Sequence, residues 1–356
     1  MRGGELVARL GGDEFAILMP MARTPEAASR LAGRVIKSLQ AAFDIDQLRV
    51  QIGASIGIAA TADSAADTET LIHHADVALY RAKREGKGQF RFFEQRMDGH
   101  IRRRARLESE FREALSAGAV KPYYHPLVEL SSGRIKGYEI LSRWMHPTEG
   151  IIPPDVFIPI AEDTGLIGEM TMRVLRQACL DAQSWTEPMT LALNISPIQL
   201  RDALLPDRLL AVLEETGFDP ERLEVEITEN ALVEDFEAAK RILTTLKARG
   251  VQIALDDFGA GHSSLNHLRE LPFDSLKIDR SFIASMHDSA ESRTIVDAII
   301  ALSHSLGLAT VAEGIETAES AAHLVALGCE MGQGFLYGQP SARVEAFADG
   351  AKRRVA

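Results

Sequence analysis

Leu223-Glu224-Val225-Glu226-Ile227-Thr228, then Phe236 to Arg249, then Gln252-Ile253-Ala254-Leu255-Asp256-Asp257: this stretch decides the fold. Two short apolar runs, each strand-length, enclose a segment of helical pattern. A strand, a helix and a second strand in that order make a βαβ unit, whose two strands run parallel. The same rhythm extends in both directions. Strand signals fall at Arg134 to Ser142, Met189 to Ile195, Ser275 to Asp279 and Ala309 to Glu313. Helical stretches lie at Leu166 to Trp185, Pro206 to Thr216, Glu291 to Leu306 and Ala318 to Leu327. About eight such units in roughly 240 residues fit a closed (β/α)8 barrel of the α/β class. An open doubly wound sheet is the alternative, but no glycine-rich dinucleotide turn follows the first strand.

Upstream, the pattern differs. Residues 1–95 mix strand-like runs (Glu14 to Met19, Val50 to Ala60) with helical ones (Glu26 to Phe43, Thr68 to Arg84). Residues 96–117 read as a charged linker helix with Leu107, Phe111, Ala114 and Leu115 on one apolar face and Arg102, Arg103, Arg104 and Arg106 on a solvated one. The 356 residues therefore suit two domains. The net charge is −12, so the surface does not favour binding along a DNA backbone. Neither a membrane-length apolar run nor a signal peptide is seen, and the only cysteines are Cys179 and Cys329. A reducing cytoplasm is the simple expectation.

The polar residues of the C-terminal region are placed unusually. Glu139, Asn194, Glu226, Asp256 with Asp257, Lys277 and Glu313 each lie at or near the C-terminal end of a predicted parallel strand. In a barrel those ends share one face, where active sites are built. Five carboxylates converging there would repel one another and lose hydration. Hard divalent cations with oxygen ligands compensate, and carboxylates with one amide oxygen suit Mg2+ or Mn2+. Two ions would stabilise the attacking and leaving oxygens of a phosphodiester, with Lys277 orienting water or neutralising charge. Helix capping explains any single Asp or Asn after a strand. It does not explain Glu226 inside an apolar strand, or a lysine within Leu276-Lys277-Ile278.

The ordered segments resemble the EAL domain of cyclic di-GMP phosphodiesterases. They are Glu139-Ile140-Leu141-Ser142-Arg143, Phe157-Ile158-Pro159, Asn194-Ile195-Ser196, Glu226-Ile227-Thr228-Glu229, Asp256-Asp257-Phe258-Gly259, Lys277-Ile278-Asp279, Ala312-Glu313-Gly314 and Gly332-Gln333-Gly334. The likeness covers roughly residues 105–350. It implies a TIM-like barrel that hydrolyses cyclic di-GMP to pGpG. It implies that Glu139, Asn194, Glu226 and Asp256 bind one metal ion, and that Asp256, Asp257 and Glu313 bind a second. Lys277 is implied to sit near the attacking water, Arg143 to contact phosphate, Gln333 to line the pocket, and Glu229 to anchor the loop Phe258 to Ser264. The resemblance also implies a homodimer through this domain. Ile140 replaces the signature alanine, on the strand face opposite Glu139. His262 replaces an aromatic of the loop and reads as a surface residue. A non-catalytic cyclic di-GMP receptor or scaffold is the rival reading; lost metal ligands would favour it, and none is lost.

Arg9-Leu10-Gly11-Gly12-Asp13-Glu14-Phe15, Ser55-Ile56-Gly57-Ile58-Ala59 and Ala75-Asp76-Val77-Ala78-Leu79-Tyr80 resemble the GGDEF domain of diguanylate cyclases. The family's first strand and helices are not in this sequence. The expectation is a partial α/β GGDEF-like domain that is not a working cyclase, with Arg2-Gly3-Gly4-Glu5 where the family binds product. A sensor ahead of residue 1, in a longer and membrane-tethered parent, is expected too.

Overall fold

The computed structural model describes residues 6–19, 25–45, 48–60, 67–259, 265–286 and 288–344. The chain divides into two units, Met1–Ser109 and Glu110–Ala356. The boundary lies within the helix Gln95–Ser116.

In the first unit, Leu6–Gly11 and Glu14–Leu18 form an antiparallel hairpin around Gly12 and Asp13. Gly12 sits at φ +50, a left-handed turn conformation that glycine adopts without steric cost. Helices Pro25–Leu39 and Thr68–Arg84 follow, with a parallel pair Ile56–Ile58 and Phe90–Phe92. Val77, Ala78 and Met97 make a small core against Phe93. Arg2, Gly3, Gly4 and Glu5 lie outside the described residues.

The second unit is a closed barrel of eight strands. They are β1 (Val120–Glu129), β2 (Arg134–His146), β3 (Thr190–Asn194), β4 (Leu223–Thr228), β5 (Gln252–Phe258), β6 (Ser275–Ile278), β7 (Ala309–Ala312) and β8 (Met331–Gln333). Strands β2 to β8 pair in parallel, each with the next, and β1 closes the ring between β8 and β2. β1 runs antiparallel to both neighbours. The cause is local: only residues 130–133 separate β1 from β2, too few for the helical crossover that parallel strands need. Gly133 at φ +68 completes that turn.

The alternation of β4 shows why these sequences make barrel strands. Leu223, Val225 and Ile227 are fully buried on one face, while Glu224 and Glu226 alternate with them. On β2, Ile140 and Trp144 share the face opposite Glu139, Leu141 and Arg143. Trp144 packs against Phe111 and Phe157, with ring centroids 5.2 and 6.3 Å away. Ile140 is 3% exposed, so the larger residue is absorbed on the packing side of the strand. No helix of the described residues is long and apolar enough to cross a membrane.

Candidate active site

Strand register explains why the polar residues meet. Asn194 lies beside Glu226, and Thr228 beside Asp256, at the C-terminal ends of β3, β4 and β5. Lys277 pairs with Val311, and Glu313 follows β7, its N–H donating to Ile278 at 3.2 Å. Capping falls to a different acid, Asp279, which accepts from Ser281 N–H at the start of helix Arg280–Ser285.

Asp256 and Asp257 are adjacent, and in a regular strand they would point to opposite faces. The register between β5 and β6 shifts between Leu255 and Phe258, and Asp257 has φ +55. A bulge of this kind re-aims one side chain, and a left-handed aspartate is tolerated at a modest cost. Both carboxylates thus serve one site. Oxygens of Asp256, Asp257 and Glu313 lie within 4.8 Å of one another.

Lys277 is the positive centre of the cluster and is 1% exposed. Its Nζ lies 2.7 Å from Glu226 Oε1, 2.7 Å from Glu313 Oε1 and 3.5 Å from Asp256 Oδ1. These are ion pairs without hydrogen-bond geometry, and among the described residues Glu226 Oε2 has no hydrogen-bond partner. Burial opposes the ammonium charge, but Glu226, Glu313, Glu139 and Asp256 together hold the lysine charged, well above its usual range. One ammonium does not satisfy the acids. Burial pushes Glu226 well up and Glu313 up to about 7, despite Lys277. Burial, then Asp256 and Asp279, raise Asp257 to about 6.

Glu139 behaves differently. Burial raises it, but Lys277 and hydrogen bonds from Gln333 and Asn194 prevail and keep it below the usual carboxylate range. Asn194 Nδ2 donates to Glu139 Oε1 at 2.7 Å, and Gln333 Nε2 donates to Oε2. Gln333 is held between two glycines, and neither site has room for a side chain. A Cβ on Gly334 would lie 2.2 Å from the Ile315 carbonyl, and one on Gly332 2.5 Å from Leu130.

Arg143 lies on the Glu139 face of β2, half-buried, with Tyr123 beneath its guanidinium at 5.8 Å. Its Nη1 donates to the Ser142 carbonyl at 3.0 Å. Glu229 is 3% exposed and accepts from Gly259 N–H at 3.4 Å. That bond ties Gly259, the first residue after β5, to helix Glu229–Glu234. The rest of the expected loop, including His262, lies outside the described residues. Glu229→Ala should release this tie without removing an acid from the cluster. We expect turnover to fall roughly 10–100-fold, as for residues that orient ligands from behind, with substrate affinity little changed. Steady-state kinetics against equilibrium binding checks this, and an unchanged kcat would remove the anchoring role.

The donor set fits divalent cations. It offers buried and part-buried carboxylates and one amide, all oxygen donors, more negative than the single lysine offsets. The carboxylates of Asp256, Asp257 and Glu313 lie close enough together to hold one cation. Glu139, Asn194 and Glu226 would extend this group through the shared Asp256. His125 was not read from the sequence. It lies opposite Glu139 in the β1–β2 ladder, is buried, and its Nδ1 is 2.6 Å from Gln333 Nε2. Burial lowers its basicity. A histidine between a tyrosine and a proline gives no signal by spacing; only the pairing with Glu139 reveals it.

Comparison with known proteins places this geometry among relatives. The family model described as EAL domain matches residues 108–340, and that described as diguanylate cyclase, GGDEF domain, matches residues 1–89. The chain is 44% identical over 335 residues to an uncharacterized signaling protein of Caulobacter vibrioides, covering 94% of this chain and 41% of that protein. It is 39% identical to the bifunctional diguanylate cyclase/cyclic di-GMP phosphodiesterase MucR of Pseudomonas aeruginosa, covering 96% of this chain and 50% of that protein. The chain thus spans about half the length, or less, of these curated relatives. Among solved structures, the PaMucR phosphodiesterase in its c-di-GMP complex is 40% identical, with a TM-score of 0.64, covering 66% of this chain and 97% of that one.

Proposed function

The chain belongs to the EAL-domain family, and we propose that its barrel hydrolyses one phosphodiester of cyclic di-GMP to give linear pGpG. The observation that carries this reading is the cluster of oxygen donors around the buried Lys277 at one end of the barrel. The names of the MucR relative and of the PaMucR complex support the substrate. In the reaction water adds its oxygen to phosphorus, the bond to the ribose 3′ oxygen breaks, and that oxygen leaves with a proton.

Two Mg2+ or Mn2+ ions, when bound, would supply Lewis acidity, drawing charge from a phosphoryl oxygen and acidifying water. Glu139, Asn194, Glu226 and Asp256 would hold one ion, and Asp256, Asp257 and Glu313 the other. Lys277 supplies a fixed ammonium in a water-poor site, where it offsets negative charge without reorganising. Arg143, backed by Tyr123, offers its guanidinium to a phosphate. Gln333 lines the pocket while holding Glu139. The signalling role is degradation of a second messenger in the cytoplasm, with a homodimer formed through the barrel unit. The N-terminal unit does not act as a cyclase in this reading. Its Asp13 and Glu14 stand exposed on a hairpin. Chromatography of cyclic di-GMP, cyclic di-AMP and mixed cyclic dinucleotides incubated with the protein and Mg2+ tests the substrate. Selective loss of cyclic di-GMP supports the reading; equal turnover of all three contradicts its specificity.

A pH dependence follows. Glu313 and Asp257 take up protons below about 7 and about 6, and a cation must displace them. Cation affinity should therefore rise with pH through this window. Titration calorimetry in two buffers of different ionisation enthalpy should show more proton release on binding at pH 6 than at pH 8. Proton-free binding at pH 6 would contradict the raised carboxyls.

A further inference from the structure

His125 holds an unusual place in the site. It is 9% exposed, yet one ring nitrogen faces the Gln333 amide and the other, Nε2, is enclosed without a hydrogen-bond partner among the described residues. The chemistry of its neighbours decides how the protons are arranged. The Gln333 amide turns its nitrogen, not its oxygen, toward Glu139 Oε2. The same nitrogen lies 2.6 Å from His125 Nδ1. An amide NH2 has two protons, and one is committed to Glu139. The second meets Nδ1, which must be a bare acceptor. A neutral imidazole then carries its proton on Nε2.

We infer that His125 is a positioning residue that locks the orientation of the Gln333 amide, and through it Glu139. With both amide protons spent inside the protein, Gln333 meets the substrate only as an acceptor, through its carbonyl oxygen. The ligand group that it selects is therefore an N–H or O–H donor, of the kind a guanine edge or a ribose hydroxyl presents, rather than a phosphate oxygen. Without an acceptor at position 125, the amide could rotate and offer a proton where the ligand also offers one. The idea rests on the proposed hydrolysis for its consequence, but not for its geometry.

Two measurements separate those parts. The first is the tautomer of His125 in the metal-free protein, read from long-range proton–nitrogen NMR spectra and assigned by the signal lost in His125→Asn. The expected result is a neutral ring with a bare Nδ1 and a protonated Nε2. A proton on Nδ1 would overturn the proposal whether or not the protein turns over substrate. The second is a set of rates. His125→Leu removes the acceptor and should lower kcat/KM on the order of 10–100-fold, the cost typical of a residue that orients a ligand from behind. His125→Asn places a carbonyl oxygen near the position of Nδ1 and should restore activity to within a few-fold of wild type. In a Gln333→Ala background, His125→Leu should add nothing, because the group it positions is gone. Equal impairment in Leu and Asn variants that melt like wild type would overturn the positioning role, as would fully additive losses. If the wild-type chain makes no pGpG, the proposed activity fails while the NMR result still decides the tautomer.

Discussion

Glu139→Ala should bring pGpG formation down by about 10²–10⁴-fold, the scale of several kcal/mol of lost transition-state stabilisation. Glu139 is held below the usual carboxylate range, with Asn194 and Gln333 each donating to one oxygen. Alanine deletes a cation ligand and removes the acceptor that Asn194 and Gln333 share. The barrel itself should stand, because Glu139 lies on the face opposite the Ile140 and Trp144 packing surface. Initial rates under saturating Mg2+, with thermal melts as a control, measure the effect. Near-normal turnover in a folded variant would show that the ligand set is wrongly assigned.

Lys277→Met should give two effects, and their combination is the informative part. Turnover should fall by about 10²–10³-fold, as when one preorganised charge is taken from a reacting centre. Stability should also drop without metal. Lys277 is the shared partner of Glu226, Glu313 and Asp256, and breaking a buried pair costs about 3–5 kcal/mol. Proton uptake by the carboxyls limits this cost, so a melting temperature lower by on the order of 10 °C is expected. Added Mg2+ should restore more stability to the variant than it gives wild type, because a cation supplies the charge that the lysine did. If Mg2+ shifts the two proteins equally, the ammonium and the cation do not share the acidic cluster.

The parts of the site that were legible in the sequence were charged residues set within barrel strands, which are buried on both faces. Glu226 alternates with Leu223, Val225 and Ile227, and Lys277 stands between Leu276 and Ile278, so each needed a reason beyond packing. The helices between strands were legible from their own period, and Leu223–Thr228 lies between two such patterns. Other features depended on contacts that no local pattern encodes. The reversed direction of β1 comes from a short turn, and β8 is only Met331–Gln333, too brief for periodicity. The convergence of Asp256 and Asp257 depends on a bulge against β6. His125 acquires its meaning only from a partner across the ladder and another some two hundred residues on, Gln333. Local sequence specifies which residues are out of place for packing; pairing between distant strands specifies which of them meet.

The most direct test of the account is pGpG formation from cyclic di-GMP by the full chain, followed by chromatography after stripping divalent ions and again after adding Mg2+ or Mn2+. The account predicts no product in the stripped protein and stoichiometric conversion to pGpG once either ion is restored. Binding of cyclic di-GMP with no pGpG under any divalent ion would contradict it, and would leave the barrel a receptor rather than an enzyme.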